Sequence, residues 1–325
     1  MTLRPPRSLI LSICCLLALV SWQTLSAQDA PKPTLVGRWD VTVTGPNGAS
    51  FPSWFEVRKS GRKALVGSYV GQVGSARPIA EIFTEGETFH FSVPPQWEAR
   101  STNVEFKGRF EGEMLRGETT GSKGEVLAWE ARRAPALDHD APAAWSEPVN
   151  LISSKSITGW KPQFANIPNG WQMIDGVLTN AQPGNNLITE QTFDDFQLVA
   201  EFRYPKGSNS GIYLRGRYEV QLEDQSGKAV DSHNIGGVYG FLTPSLNASL
   251  PAGEWQRLEA TLVGRRVTIV LNGERVIDRQ LIPGITGGAL DSDEAAPGPL
   301  MLQGDHGPIE FRKLVLTPAA KPAKP

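Results

Sequence analysis

Residues 208–224 combine the alternation of a β-strand with side chains that can carry out acid–base chemistry. Successive side chains of a strand point to opposite faces, so every second residue shares a side. From Ile212 to Leu222 one side is apolar apart from Gly216. Carboxylates and guanidiniums that lie close together shift each other's pKa, as catalytic acids and bases do. The opposite side of this segment carries such a polar row: Tyr213, Arg215, Arg217, Glu219, Gln221 and Glu223.

The outward face of an ordinary half-exposed sheet is also polar, and periodicity alone favours that solvated surface. A site is favoured by similar polarity in two further strand-like segments, because polar faces in a curved sandwich converge into a groove. Such a groove suits sugars, whose hydroxyls bind donors and acceptors and whose apolar ring faces bind aromatic side chains. The further polar residues are Glu201, Arg203, Gln303, His306, Glu310 and Arg312, and the candidate aromatic platforms are Trp171, Tyr213 and Tyr239.

The elements that must position these residues are short strands. Residues 194–204 alternate between an apolar and a mixed side, and Asn272-Gly273 is a strong hairpin turn between two alternating runs. No helix longer than a turn or two is needed to explain residues 149–318. This part of the chain therefore predicts a two-sheet jelly-roll sandwich of the concanavalin-A-like kind.

Residues 35–133 predict a second, smaller β domain. Strand-sized runs such as Trp39–Val43 and Thr88–Val93 are separated by clusters of Gly, Pro, Asn and Ser. Residues 104–119 read as a hairpin with Glu111-Gly112 near its turn. We expect a small β-barrel or β-sandwich, and no residue pattern in it names a chemistry. The whole chain is thus predicted to be all-β.

Two tryptophans of this first domain could serve as sugar platforms. Trp54 and Trp97 are both candidates, although a buried core position is the commoner one for tryptophan. Residues 134–148 are rich in Ala and Pro and are predicted to be a linker. Residues 319–325 are predicted to be a disordered tail.

The N-terminus has the pattern of a secretory signal peptide. Arg4 and Arg7 precede an apolar run from Leu9 to Val20, and a polar stretch ends at Ala27. We therefore predict that residues 1–27 are removed and that the protein is secreted or periplasmic. Both cysteines lie in this segment, so the mature chain is predicted to have no disulfide and no thiolate metal site.

The charge balance excludes one large class of partner. The chain carries 32 basic and 34 acidic residues, and loss of Arg4 and Arg7 leaves 30 against 34. A clustered basic surface is expected of nucleic-acid-binding proteins, and none is visible. No segment after the first 27 residues approaches the roughly 20 apolar residues that a membrane span needs. A small carbohydrate is the predicted partner, and the sequence leaves the oligomeric state open.

Several motifs in the second half carry a family resemblance. Residues 184–224, "GNNLITEQTFDDFQLVAEFRYPKGSNSGIYLRGRYEVQLED", are followed by "GGVYG", by "PAGEWQRLEATLVGRRVTIVLNGERVID" and by "LMLQGDHGPIEFRKLVLTP". Each motif is weak alone, and the ordered combination is specific. Together with the opening "LISSKSITGWK", these motifs resemble the 3-keto-disaccharide hydrolase family over residues 151–318. Lys313 stands where the family's ending would lead us to expect Asn.

The resemblance implies hydrolysis of glycosides whose sugar is oxidised to a ketone at carbon 3. That ketone acidifies the C2 proton, so a carboxylate base can remove it, the C1 substituent can leave, and water can add afterwards. Such a mechanism needs a base, a group that stabilises the enolate oxygen, and an acid for the leaving oxygen. The resemblance implies Glu219 or Glu201 as base or metal ligand, Arg215 as oxyanion clamp and His306 as proton donor or ligand.

Five further residues are predicted to bind substrate: Tyr213, Gln221, Arg203, Gln303 and Tyr239. A divalent metal ion is a candidate cofactor, since Glu, Gln, His and Asp offer oxygen and imidazole ligands. A ladder of Arg–Glu salt bridges would explain the same charges without a metal. Three other functions stay open at this point: a non-catalytic carbohydrate-binding protein, an ordinary glycosidase with two carboxylates, and a surface assembly protein.

Overall fold

The computed structural model describes residues 1, 34–152 and 156–320, and in these ranges every regular element is a β-strand. The predicted signal peptide beyond Met1 and residues 321–325 of the predicted tail lie outside the described residues. No helix in the described ranges is long and apolar enough to cross a membrane. The all-β fold predicted from the sequence is confirmed.

The first domain is one antiparallel sheet of nine strands, with β1 next to β2 on one side and β9 on the other. The predicted hairpin is β7–β8, and its two strands enclose the turn that contains Gly112. The strands are β1 (Gly37–Thr44), β2 (Ser50–Ser60), β3 (Ala64–Val70), β4 (Arg77–Ile79), β5 (Phe83–Glu85), β6 (Thr88–Val93), β7 (Val104–Glu111), β8 (Met114–Thr120) and β9 (Val126–Arg133).

This sheet curls around its own core. Phe55 of β2 and Phe91 of β6 lie several strands apart in the sheet order, yet their ring centroids are 5.6 Å apart. Phe106 of β7 stacks on Phe91 with centroids 5.0 Å apart, and Trp129 of β9 packs against Phe106. Alternate residues of each strand therefore point inward to one shared aromatic core. The domain is the small barrel-like fold that the alternating runs predicted.

The second part of the chain is a sandwich of two antiparallel sheets. The larger sheet has the order β12-β13-β22-β15-β18-β19-β20, with β10 beside β22, and the smaller has the order β11-β14-β21-β16-β17. Its strands are β10 (Val149–Asn150), β11 (Trp160–Pro162), β12 (Trp171–Ile174), β13 (Val177–Asn180), β14 (Leu187–Phe193), β15 (Phe196–Arg203), β16 (Asn209–Leu214), β17 (Tyr218–Glu223), β18 (Gln256–Val263), β19 (Arg266–Leu271), β20 (Glu274–Leu281), β21 (Gly298–Leu302) and β22 (Ile309–Pro318).

The core of the sandwich lies between these sheets. Even-numbered residues of β15, from Phe196 to Phe202, face it from the larger sheet, and Ile212 and Val220 face it from the smaller. The odd-numbered residues of β16 and β17 therefore lie on the outer face of the five-stranded sheet. That face carries the polar row. The predicted Asn272-Gly273 turn joins β19 to β20, with Asn272 in the left-handed conformation at φ 51°.

The barrel rests on the sandwich through a buried aromatic contact. Trp54 of β2 is fully buried and belongs to the core of the sandwich, where its ring meets Phe241 edge-on at 5.7 Å. A Cβ at Gly284 would lie 2.3 Å from the Trp54 ring, so only glycine fits there. The expected buried position of Trp54 is confirmed, and its ring packs between the two domains.

The connecting segment 134–148 has little regular structure but is held against the sandwich. The Leu137 carbonyl accepts a hydrogen bond from the Arg265 amide at 3.0 Å, and Asp138 pairs with Arg266 at 2.7 Å. The Ala136 carbonyl accepts from the Arg265 guanidinium. These contacts fix the path of the chain between the domains.

Candidate active site

A pocket of about 100 Å³ opens on the outer face of the five-stranded sheet. Its floor is the hairpin β16–β17, and its walls come from loops of the sandwich and from one loop of the barrel. The lining residues are Val73, Gly74, Asn186, Asn209, Tyr213, Glu219, Gln221, Tyr239, Gly287, Gly288, Gln303, Asp305 and His306.

The hairpin places its polar side chains by cross-strand pairing. Tyr213 is directly opposite Glu219, and Gly211 is opposite Gln221. Residues facing each other in an antiparallel pair have their side chains about 5 Å apart on one face. Gly211 is required beside Glu219, because a Cβ there would lie 2.5 Å from the Oε1 atom of that carboxyl. The strand register therefore makes room for one acidic group at the floor of the pocket.

Glu219 is buried, and its surroundings favour the protonated form. Burial raises its pKa to about 8, while hydrogen bonds from Tyr213 and Gln303 and the charge of His306 act in the opposite direction. The charge of Asp305 adds to the rise. A carboxyl with a pKa this close to neutrality can both take up and release a proton at physiological pH.

The hydrogen bonds of Tyr213 fit a protonated Glu219. The phenol oxygen lies 2.9 Å from Glu219 Oε2 and 3.0 Å from the carbonyl oxygen of Gly287. A phenol has one proton, so it cannot donate to an ionised carboxylate and to a carbonyl at once. If Glu219 is protonated, it donates to the phenol oxygen and the phenol donates to Gly287. Tyr213 therefore stabilises either charge state of Glu219 by turning its hydroxyl.

Asp305 and His306 form an ion pair at the rim of the pocket. The Nδ1 atom of His306 lies 2.6 Å from Oδ1 of Asp305, and both side chains are about half exposed. This hydrogen bond, opposed by partial burial, raises the pKa of His306, and the charge of Glu219 contributes to the rise. His306 is thus a proton donor that stays cationic to higher pH than a free imidazole.

Two residues that line the pocket have buried amide oxygens without a protein partner. Among the described residues, neither Gln221 Oε1 nor Gln303 Oε1 has a hydrogen bond, although both side chains are buried. The other end of the Gln221 amide is held by Asn209, whose Oδ1 accepts from Nε2 at 3.1 Å. A buried acceptor without a donor is costly, so a ligand with hydroxyl groups would stabilise both.

Backbone contacts hold the walls around Glu219. Its amide donates to Thr286 Oγ1 at 3.0 Å, and its carbonyl accepts from the Tyr239 amide at 3.0 Å. The Tyr239 ring meets His233 edge-on at 4.8 Å. A Cβ at Gly288 would lie 2.5 Å from the Tyr213 hydroxyl oxygen, so this wall approaches the floor without a side chain. The pocket is consequently narrow and polar.

Comparison with known proteins assigns this half of the chain to a family. The sequence profile of the 3-keto-alpha-glucoside-1,2-lyase-like domain matches residues 147–317. The chain belongs to this 3-keto-disaccharide hydrolase family. The resemblance read from the ordered motifs is therefore confirmed.

Individual relatives are distant. A 3-keto-disaccharide hydrolase from Bacteroides thetaiotaomicron is 23% identical over 170 residues, which is 41% of this chain and 58% of that protein. The chain thus spans little more than half the length of this curated relative. Two Parabacteroides distasonis crystal structures, described as candidate glycosyl hydrolases, are 23% and 22% identical with TM-scores of 0.44 and 0.45. They cover 55% and 54% of this chain and 92% and 94% of their own.

Six of the nine predicted site residues of this family member line the pocket together: Tyr213, Glu219, Gln221, Tyr239, Gln303 and His306. They come from β16, β17, the loop after β21 and the loop at Tyr239, so the predicted convergence of polar faces occurs for this sheet. The predicted platform Trp171 is instead a buried core residue, with its indole N–H bonded to the Asn185 carbonyl.

Glu201 and Arg203 lie elsewhere, which corrects the predicted groove. Both belong to β15, in the larger sheet, and project from its outer face. Glu201 pairs with Arg312 at 2.7 Å and with Arg257 at 3.3 Å, and Arg203 pairs with Glu310. The salt-bridge ladder considered above is therefore the arrangement of this face, and neither residue reaches the pocket.

Arg215 is also displaced from the pocket, because it lies in the turn between β16 and β17. Its φ is 52°, and the left-handed turn removes it from the alternation of the strands. The buried guanidinium donates to the Tyr218 hydroxyl at 3.1 Å and to the Glu294 carbonyl at 2.9 Å. Tyr218 donates in turn to the Glu294 carboxylate at 2.7 Å, and Arg38 of the barrel pairs with the same carboxylate at 3.3 Å. The predicted oxyanion clamp belongs to a buried ion network between the domains.

Seven other lining residues were missed: Val73, Gly74, Asn186, Asn209, Gly287, Gly288 and Asp305. Asn209 opens β16 and Asn186 precedes β14, where asparagine is common in turns. Asp305 stands next to His306 in the motif "QGDHG", and that adjacency was the available signal. Within the described ranges, no three His, Cys, Asp or Glu side chains are grouped as a metal site requires. A divalent ion held by Glu, Gln, His and Asp ligands stays a prediction.

Proposed function

We propose that this protein cleaves the glycosidic bond of 3-keto-glycosides by elimination across C1 and C2, followed by hydration. The observation that carries the proposal is Glu219, one buried carboxyl with a pKa near 8 at the floor of a small pocket lined with amides. The family assignment supports a glycoside hydrolase of the 3-keto-disaccharide class. An exported location, predicted from residues 1–27, is part of the proposal.

In the proposed reaction, ionised Glu219 removes the C2 proton, which the neighbouring ketone acidifies. The electron pair of the C–H bond forms a C2=C3 double bond, and the negative charge moves to the ketone oxygen. A base is most effective when its pKa lies near the working pH, and burial places Glu219 in this range. Tyr213 donates a hydrogen bond to Glu219 while the carboxyl is ionised. Once the carboxyl is protonated, Tyr213 accepts a hydrogen bond from it and donates to the Gly287 carbonyl.

His306 is the proposed donor to the leaving oxygen. When the enolate collapses, the bond between C1 and the glycosidic oxygen breaks, and that oxygen takes the proton of the imidazolium. Asp305 holds the imidazole and favours its charged form. Water then adds at C1 and gives a proton to His306, while Glu219 returns its proton to C2, so the products are the free 3-keto-sugar and the aglycone. The oxygens of Gln221 and Gln303 are proposed to accept from sugar hydroxyls.

The experiment that tests this function is release of the aglycone from a 3-keto-glucoside and from its unoxidised parent by the mature protein. We expect release from the keto compound alone, because only it has an acidic C2 proton. Equal release from the parent would contradict elimination and would favour a glycosidase with two carboxylates. The same assay with and without a chelator tests the divalent ion, since loss of release with chelator would place a metal in the reaction.

A further inference from the structure

The barrel domain contributes directly to the pocket through the loop between β3 and β4. Val73 and Gly74 of this loop line the pocket beside Glu219 and Gly288. The carbonyl oxygen of Gln72 accepts a hydrogen bond from the Gly288 amide at 2.8 Å. One wall of the site is therefore made by the domain that no family motif covers.

The contact between this loop and the sandwich is too close for side chains. A Cβ at Gly287 would lie 2.2 Å from the carbonyl oxygen of Gly74, and a Cβ at Gly240 would lie 2.7 Å from the Ser75 side chain. Contacts of this length cannot be relieved by small shifts when one partner is backbone. Glycines on the sandwich side thus let the barrel loop lie directly against the pocket wall.

The barrel holds the loop from behind with a second set of contacts. Gln96 accepts from the Ser75 amide at 3.1 Å and donates to the Ser75 hydroxyl at 2.6 Å. Arg77, the first residue of β4, pairs with Glu98 at 2.9 Å, and both side chains are less than a tenth exposed. A buried, hydrogen-bonded pair fixes the geometry of the segments that carry it. These contacts hold the loop in a fixed position at the wall of the pocket.

This wall also presents apolar surface beside an otherwise polar pocket. Val73 and Trp97 are each 39% exposed, although most large apolar side chains of the barrel are buried. Trp97 lies next to the loop, because a Cβ at Gly74 would be 3.1 Å from its Cδ1 atom. Trp97 does not itself line the pocket, but it touches Gly74, which does. An exposed indole at this position suits the apolar face of a sugar ring. The sequence favoured a core position for Trp97, and the structure places it at the surface.

The pocket floor is closed by the hairpin, so a disaccharide whose keto sugar reaches Glu219 must extend its other sugar toward the rim. We propose that Val73 and Trp97 form the subsite for the leaving group, so that the barrel selects which aglycone is cleaved. This inference rests on the proposed function and deepens it, because it assigns the second half of the substrate. It also gives the barrel a role that no motif suggested.

The test uses the full mature chain, Trp97→Ala and Val73→Ala, with Phe83→Ala as matched control. Phe83 is an exposed aromatic residue of β5, 49% exposed, and it lines a different cavity together with His90 and Arg109. The probes are 3-keto methyl glucoside and a 3-keto glucose disaccharide. Affinity is measured by calorimetry with each change combined with Glu219→Gln, so that the substrate is not consumed. Turnover is measured with each change alone. We expect Trp97→Ala to weaken the disaccharide about tenfold, with methyl glucoside and the control unchanged.

The outcomes separate this inference from the proposed function. If disaccharide affinity depends on Trp97 but the unmodified chain shows no turnover, the proposed elimination is contradicted and the subsite is supported. Turnover by the unmodified chain with no effect of Trp97→Ala or Val73→Ala, or with equal loss for both probes, would overturn the subsite alone. Absence of disaccharide binding to the unmodified chain would overturn it as well.

Discussion

The outer faces of both sheets of this sandwich carry rows of polar and charged side chains, but one row is buried and the other is largely exposed. On the five-stranded sheet, Glu219 and Gln221 are at most 4% exposed, because loops and the barrel cover them. On the larger sheet, the Arg257, Arg312 and Glu310 side chains are 31–45% exposed and Glu201 is 19% exposed. The alternation of polar and apolar residues is the same in both rows.

The difference lies in what each carboxyl can do with a proton. Glu201 accepts from Arg312 and lies near Arg257 and Lys313, and these contacts lower its pKa. Among the residues that the structure describes, no arginine pairs with Glu219, and burial raises its pKa to about 8. A carboxylate held by guanidiniums stays ionised and inert, whereas a buried carboxyl with weak partners can exchange a proton near neutral pH. Covering loops, not residue type, distinguish the site from the surface.

The largest expected effect is on turnover. Glu219→Gln keeps the size of the side chain but cannot remove a proton, so we expect release from a 3-keto-glucoside to fall at least about a hundredfold. The matched change Glu201→Gln should leave turnover within about twofold. Both rates are measured by aglycone release, with circular dichroism to verify the fold. Comparable losses of turnover in the two variants would mean that Glu219 has no catalytic role that Glu201 lacks.

The next effect concerns the pH dependence of kcat/KM. A base must be ionised and an acid protonated to act, so the rate of the unmodified chain should rise as Glu219 ionises and fall as His306 loses its proton. In His306→Gln, which lacks the second group, the residual rate should rise roughly tenfold per pH unit below pH 8 and level off above it. The Glu201→Gln variant should show the same rising limb. If the rate of His306→Gln instead falls as the pH passes 8, protonated Glu219 is the active form, and the acid and base roles are exchanged.

The fold was largely predictable, because strand alternation and the Asn272-Gly273 turn are local signals. The row at Tyr213, Glu219 and Gln221 was found for the same reason. Alternation gives the side of a strand on which a residue lies, but not the sheet to which the strand belongs. Glu201 was therefore grouped with Glu219 although β15 lies in the other sheet.

Turns and inter-domain contacts limited the prediction of the rest. Arg215 was placed by alternation, but its left-handed backbone turns the side chain into the network around Glu294. Val73 and Trp97 could not be linked to the site, because their place depends on how the barrel rests on the sandwich. The close contacts of Gly240 and Gly287 with the barrel loop become visible only when both domains are folded.

The smallest expected effect is on stability, and its sign differs between the two carboxyls. The pKa of Glu219 is raised on folding, so its contribution to stability is full below its ordinary pKa of 4.5 and is lost as the pH rises through about 8. The pKa of Glu201 is lowered, so its contribution is present above its ordinary pKa and is lost as the pH falls through the lower, folded value. Urea unfolding between pH 3 and pH 9 measures both contributions against the unmodified chain.

Each variant should remove one of these dependences. Glu219→Gln should lessen the loss of stability between pH 5 and pH 9, since it removes the cost of ionising a buried carboxyl. Glu201→Gln should cost about 1 kcal/mol or less at pH 7, and the difference should shrink in 1 M salt, as expected of partly exposed ion pairs. If Glu201→Gln proved as costly in high salt as in low salt, its ladder would act through packing and not through charge. The contrast between the two faces would then rest on Glu219 alone.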